Sequence, residues 1–358
     1  GDAVVVRQQV RCLCRERHDR LTFLYRDFDG TAQVATVKMP QRAESCVGSG
    51  CPVLFSLHGM DVTAQRQTDC YRAREDMWIL SPLGRGTHGF NWQGPGHWSA
   101  LAALAALTAL GVAWGLPADL SQIIFTGHSN GAYGAWLLAS LNPDVSKACA
   151  PLSGMAQIGT TEFRLQATGV SASLRELWQR TCEEYRGFSY AVNLVPAPFL
   201  ARAGAEDRVI APSATMKMGD ALRRAGHKTA KIVILPGKEH WWWDTTKPMD
   251  GGVMDDDEMR DFFTSALNAT AQQEQAERRM VCVNPVSCGA LRGVRVSSQH
   301  VPLKASVLTV AGPCLDSSTP AAPFAIRTEN VRRLSIHARG EKPAWQLSVD
   351  GQQLEVPR

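Results

Sequence analysis

Residues 124–131 read Ile-Phe-Thr-Gly-His-Ser-Asn-Gly. An apolar run of strand type stops at a serine fenced by two glycines, and an Ala/Leu stretch of helical type follows at once. Such a Gly-x-Ser-x-Gly sequence predicts a sharp strand-to-helix turn at Ser129, with a strained backbone and small neighbours that relieve crowding. The turn lifts the hydroxyl clear of the sheet and aims the first free N–H groups of the helix at any charge developing beside it. Ser129 therefore reads as a candidate nucleophile.

The order of the surrounding elements predicts the fold class. Leu21–Tyr25 and Gln33–Lys38 read as strands joined by the turn Asp27-Phe28-Asp29-Gly30. Short apolar strands then alternate with helices: strands at Pro52–Leu57, Met77–Leu80, Gln122–Thr126, Lys147–Leu152, Pro198–Ala203 and Ala230–Leu235. Helices are expected over Asn130–Leu141, Leu174–Tyr185, Ser213–Ala225 and Asp256–Asn268. This alternation implies an α/β fold, a mostly parallel sheet with helices on both faces. The stretch from Ile158 to Leu194 interrupts the rhythm and reads as an insertion over the sheet. After Gln275 the pattern turns to short strand-like runs between turn residues, which suggests a small all-β domain. Two domains follow from this: residues 1–275, with the N-terminal hairpin, and residues 276–358. The polar run Ala271–Arg279 is expected to link them.

A serine needs a base to take its proton and a carboxylate to orient that base, and in this fold the chain order is Ser, acid, His. Strand Pro198–Ala203 runs into Gly204-Ala205-Glu206-Asp207, and strand Ala230–Leu235 runs into Pro236-Gly237-Lys238-Glu239-His240. Asp207 and His240 are the expected partners of Ser129, with Asp244 the rival acid. His227 is expected to be solvated after its helix, and His58 to be a structural hydrogen-bonder. The N–H groups of Asn130 and of Met60, after Gly59, are the expected oxyanion donors. Two aromatic clusters, Phe90–Trp98 and Trp241–Trp243, offer either a substrate pocket wall or packing behind the catalytic loops. Trp92, Trp98 and Trp241 are the candidates for the wall, and Arg85 for an anionic substrate group.

Composition narrows the remaining classes. The 358 residues are 44% hydrophobic and 20% charged, ordinary for a globular protein. A net charge of +4 with scattered arginines argues against a nucleic-acid partner. The uncharged stretch Trp98–Pro117 is long enough to span a bilayer, but its Ala, Gly and Ser content reads as a helix packed on a sheet, so no transmembrane segment is expected. A secretory signal peptide is not expected at the start of this sequence. Ten cysteines include the close pairs Cys12 with Cys14, Cys46 with Cys51 and Cys282 with Cys288, and Asn268-Ala269-Thr270 is a glycosylation triplet. These favour a secreted protein or one of the secretory pathway over a cytoplasmic one. No cysteine spacing fits a zinc site, and neither a metal nor a cofactor is expected.

The segments Gly127-His128-Ser129-Asn130-Gly131, Gly204-Ala205-Glu206-Asp207-Arg208-Val209-Ile210 and Gly237-Lys238-Glu239-His240-Trp241-Trp242 resemble the catalytic region of the prolyl oligopeptidase-type serine hydrolases. That resemblance, over roughly Pro52 to Phe263, implies the α/β-hydrolase fold. The family's large propeller has no counterpart in the roughly 50 residues before it, and a β domain follows instead. A metal-free esterase using an acyl-enzyme, a peptidase, and a binding protein that has lost the chemistry all remain open. A surface-binding role for the β domain is a further reading, with Trp345 as its aromatic residue.

Overall fold

The computed structural model describes residues 16, 19–42, 46, 50–158, 169–195, 197–242, 252–269, 277–312, 324–337 and 345–356. The expected Cys12 and Cys14 pair, Trp243, Asp244, Thr270 and the boundary after residue 275 lie outside them.

Fifteen strands and six α-helices follow one another among the described residues. The hairpin β1 (Leu21–Arg26) and β2 (Ala32–Lys38) precedes β3 (Cys51–Leu57), a short helix α1 (Ala64–Asp69) and β4 (Trp78–Pro82). Then come α2 (Pro95–Ala113), β5 (Ala118–His128), α3 (Asn130–Leu141), β6 (Ser146–Leu152) and α4 (Ala172–Glu183). A 3-10 segment at Gly187–Leu194 leads to β7 (Leu200–Gly204), α5 (Pro212–Arg224), β8 (Lys231–Leu235) and α6 (Asp257–Asn268). The first eight strands form one sheet in the order β1-β2-β4-β3-β5-β6-β7-β8. The six strands from β4 to β8 in that order run parallel, and β2 joins β4 antiparallel. The C-terminal ends of β3, β5, β7 and β8 therefore open on one edge, where loops can converge.

The centre of the sheet is apolar because both of its faces are covered. All twelve residues of α3 are buried, and β3, β5 and β6 are buried along nearly their whole length. A helix enclosed on every side needs no polar face, which is why its sequence shows no amphipathic stripe. Each enclosed Leu or Phe contributes about 1.5–3 kcal/mol of burial. Helix α2 is long and apolar enough to cross a bilayer, and here it packs against β1, β4 and β5 with Ala100, Ala103, Leu104 and Leu107 buried.

The remaining strands are β9 (Glu277–Cys282), β10 (Val294–Gln299), β11 (Ser306–Ala311), β12 (Phe324–Glu329), β13 (Val331–Ile336), β14 (Trp345–Val349) and β15 (Gln352–Val356). Five make the sheet β15-β14-β12-β11-β9, and β10 pairs with β13. Arg278 and Arg279, at the end of the expected linker, are part of β9. Met280, Cys282, Leu291 and Val294 join the same apolar cluster as Leu138 and Leu141 of α3. Polar contacts run across the same junction. Asn193 donates to Ser140 O and Val281 O, and Asp144 accepts from the backbone N–H of Arg292 and Gly293. Disulfides join Cys46 to Cys51 and Cys282 to Cys288, as the spacings suggest.

Buried histidines make stability depend on pH, and His97 is one of them. His97, in the first turns of α2, is 1% exposed, and burial pushes its imidazole down to about 4. The unfolded chain takes up this proton near pH 6.5, whereas the folded chain refuses it until about pH 4. The contribution is complete above the unfolded value and is lost as pH falls towards the folded one. Urea titrations at roughly pH 7.5 and 4.5 should differ by about 2–3 kcal/mol through this group. The slope should flatten by that amount in His97→Leu, and a variant as acid-sensitive as the parent would assign the loss elsewhere.

Candidate active site

Ser129 sits at the junction of β5 and α3 with φ 59° and ψ −120°, a backbone that L-residues rarely adopt. Its neighbours explain the two glycines. A Cβ on Gly127 would lie 2.4 Å from Gly131 O, and one on Gly131 would lie 1.9 Å from Leu57 O. The Ser129 N–H is anchored to Leu152 O at 3.0 Å, and its carbonyl accepts the N–H groups of Ala132 and Tyr133. The serine is thus held by β6 on one side and by the first turn of α3 on the other.

Three loops bring their side chains to this point. His240, beyond β8, has Nε2 2.9 Å from Ser129 Oγ and Nδ1 2.8 Å from Asp207 Oδ2. Asp207 Oδ1 accepts the N–H groups of Val209 at 2.9 Å and Ile210 at 2.8 Å. A carboxylate only accepts, so Nδ1 of a neutral His240 carries the proton and Nε2 offers a lone pair to the serine. Asp207 is 5% exposed and His240 1%, so water competes little for these bonds. Glu206 is exposed on the neighbouring turn.

The loops themselves are braced. His128, the residue before the serine, donates from Nε2 to His240 O at 2.8 Å, with the two rings 4.8 Å apart. Burial pushes its imidazole down to about 3, helped by the nearby His240 ring and opposed by the bond to the carbonyl. It is therefore neutral and ties β5 to the loop that carries His240. Sequence reasoning missed this residue, because one histidine inside a Gly-x-Ser-x-Gly run gives no sign of where its ring points. His58 is a structural hydrogen-bonder, with ring nitrogens 2.8 Å from Gly59 O and 3.0 Å from Leu83 O, and burial lowers its imidazole. His227 departs from expectation: it is buried and donates to Ala197 O at 2.8 Å, because the turn after α5 folds back onto the chain before β7.

The three tryptophans part company. Trp241 lines the cavity above Ser129 and stands edge-on to His240 at 4.9 Å. Trp92 does not line it. Its indole is fully buried, donates to His58 O at 3.2 Å and fills the space left by Gly84, Gly89 and Gly134. Trp98 packs edge-on against Phe28 at 5.3 Å, on the N-terminal hairpin. The packing reading holds for both. Arg85 is likewise committed, bonding Asp29 and lying 5.0 Å over the Phe28 ring.

Around Trp92 the backbone is left-handed for four consecutive residues, with φ of 57°, 49°, 55° and 58° at Gly89, Phe90, Asn91 and Trp92. For the three that carry a Cβ this costs on the order of 1–2 kcal/mol each. The buried indole and the close approach of Gly96 to Gly89 O hold the turn in place.

The cavity measures about 340 Å³. Met60, Val62, Met155, Ile158, Val209 and Trp241 give it a largely apolar wall, and among the described residues no Lys or Arg lines it. Asn130 opens α3, so its N–H has no intrahelical acceptor. Among the described residues no backbone hydrogen bond engages the Met60 N–H. Both border the cavity floor beside Ser129.

An uncharacterized secreted protein of Arthroderma benhamiae is 24% identical over 350 residues, covering 91% of this chain and 35% of that protein. The chain thus spans about a third of the length of that curated relative. An S-formylglutathione hydrolase from Agrobacterium tumefaciens aligns with a TM-score of 0.47 at 17% identity, over 68% of this chain and 94% of its own. Est1E from Butyrivibrio proteoclasticus aligns with a TM-score of 0.47 at 18% identity, over 69% and 99%. Residues 100–270 match the prolyl oligopeptidase family.

Proposed function

We propose that this protein is a serine hydrolase that cleaves neutral carboxylic esters through an acyl-enzyme. The observation that carries this reading is the run of contacts from Ser129 Oγ through His240 to Asp207 at the floor of an apolar cavity. Ser129 Oγ attacks the ester carbonyl as its proton passes to His240 Nε2. Asp207 orients the ring and balances the imidazolium that forms. The Met60 and Asn130 N–H groups receive the oxyanion. The alcohol leaves with the proton from His240, and a water activated by the same nitrogen then releases the acid. The cavity wall suits a short acyl chain or an aromatic acid, and the lack of a described basic side chain disfavours an anionic one.

A peptidase is the second reading, favoured by the family match over residues 100–270. An amide needs its poor leaving group protonated and its chain held. A side-by-side assay of p-nitrophenyl acetate, methyl ferulate and a glycyl-prolyl anilide decides between them. Expected is a kcat/KM for methyl ferulate about two orders of magnitude above that for the anilide, roughly 3 kcal/mol in transition-state binding. The methyl ester is the deciding substrate because activated esters react with any serine hydrolase, and a faster anilide restores the peptidase. The two disulfides and the secreted relative support secretion as the setting.

A further inference from the structure

We infer that Asn91 is a substrate-contacting residue, whose Nδ2–H donates to an acceptor oxygen on the acyl chain of the ester. The inference rests on the esterase reading above and names the kind of acyl group that the site takes.

Three observations carry it. Asn91 borders the same cavity as Ser129, His240 and Met60. It stands in the middle of the left-handed turn Gly89–Trp92, with φ 55°. Strain of this kind persists only where surrounding structure over-determines it, and it concentrates where a group must be held in place. Here the surroundings are visible: Trp92 is fully buried beneath the turn and bonded to the His58 carbonyl. The turn is thereby tied to the loop that carries Gly59 and Met60. The third observation is the state of the amide. Two carboxamides line the cavity, and that of Asn130 is committed to His88 O at 3.3 Å. Among the described residues the Asn91 carboxamide has no hydrogen-bond partner.

The chemistry of the wall points to what this amide serves. Asp61 already offers an acceptor at the cavity rim, and the described wall is otherwise mostly apolar. The N–H groups of Asn130 and Met60 are assigned to the oxyanion. An amide N–H held apart from them complements an oxygen further along the acyl group, such as a keto or ester carbonyl. An acyl chain without that oxygen leaves the donor unpaired when it displaces water, and such a mismatch is where discrimination comes from.

The test compares pairs of p-nitrophenyl esters that differ by one carbonyl: 4-oxopentanoate with pentanoate, and 5-oxohexanoate with hexanoate. The readout is the ratio of kcat/KM for the keto ester to that for its hydrocarbon parent, in which a general loss of structure cancels. Asn91→Gly removes the amide and relieves the left-handed backbone. Asn91→Asp keeps the shape and the turn preference but has no N–H to donate. In at least one pair the ratio should fall roughly five- to tenfold in both variants. The loss should lie mainly in KM, because the contact forms on binding. A ratio unchanged in both pairs in either folded variant overturns the inference and leaves Asn91 as part of the turn. Fluorophosphonate labelling of Ser129 in the unmutated chain tests the hydrolase reading separately, so a chain that labels but shows no change in the ratio loses only this inference.

Discussion

Changing Ser129 to alanine is expected to abolish fluorophosphonate labelling and to lower kcat by on the order of 10⁵–10⁶, the loss found when a nucleophile is removed from a working triad. The reason is local. The φ 59° turn between β5 and α3 places one hydroxyl at the cavity floor, 2.9 Å from His240 Nε2. Ser153, also left-handed at φ 45°, is buried beyond β6, with no hydrogen-bond partner for its hydroxyl among the described residues. It follows a strand but opens no helix and faces no base. Peptide mapping of the labelled protein should therefore find the adduct on Ser129. Undiminished labelling of Ser129→Ala, or an adduct on another serine, would remove the nucleophile from the reading. The alanine itself should fold, because the strained backbone is stabilised by the Leu152 O bond and by the packing of Gly127 and Gly131.

Much of this arrangement was legible from the chain alone, for identifiable reasons. The parallel sheet announces itself because both of its faces are buried, which leaves continuous apolar runs such as Val53–Leu57 between turn residues. The loops of interest lie at strand ends, so reading the strands also located Asp207 and His240. Element ends moved by a few residues: β5 starts at Ala118 instead of Gln122, where its first residues pair with β3 beyond the apolar run. Helix α1 was missed altogether. It is six residues long, and its Thr63 cap is the one local sign it carries.

The less legible parts depend on contacts far apart in sequence. Phe90, Asn91 and Trp92 have no preference for a left-handed backbone that a reader of sequence could use. The turn exists because Trp92 finds a slot vacated by Gly84 and Gly134, the second of which lies 42 positions further along the chain. The same contact decides that Trp92 supports the site from beneath while Trp241 faces the cavity. Equal residue types in similar aromatic runs thus take opposite roles, and composition could not separate them.

Replacing Asp207 by asparagine should cost about 10⁴ in kcat, although the side chain is almost the same shape. The hydrogen bonds decide why. Oδ1 of Asp207 faces two backbone donors, the N–H groups of Val209 and Ile210, and Oδ2 faces His240 Nδ1. An asparagine cannot turn its NH₂ towards two N–H groups without leaving three donors in contact. Its carbonyl oxygen must take the Oδ1 place, and the NH₂ must then face His240. Donor facing donor is relieved only if His240 gives up the proton on Nδ1 and carries it on Nε2. That tautomer presents an N–H to Ser129 Oγ in place of a lone pair, so the serine loses its base. The geometry stays intact while the proton is on the wrong nitrogen, and labelling of Ser129 should slow with turnover. Part of the lost activity should return at alkaline pH, where hydroxide can deprotonate the serine directly. The comparison variant is Asp244→Asn, which should retain activity near that of the parent. A crippled Asp244→Asn beside a mild Asp207→Asn would move the orienting carboxylate to Asp244 and leave the bonds from Val209 and Ile210 as loop structure alone.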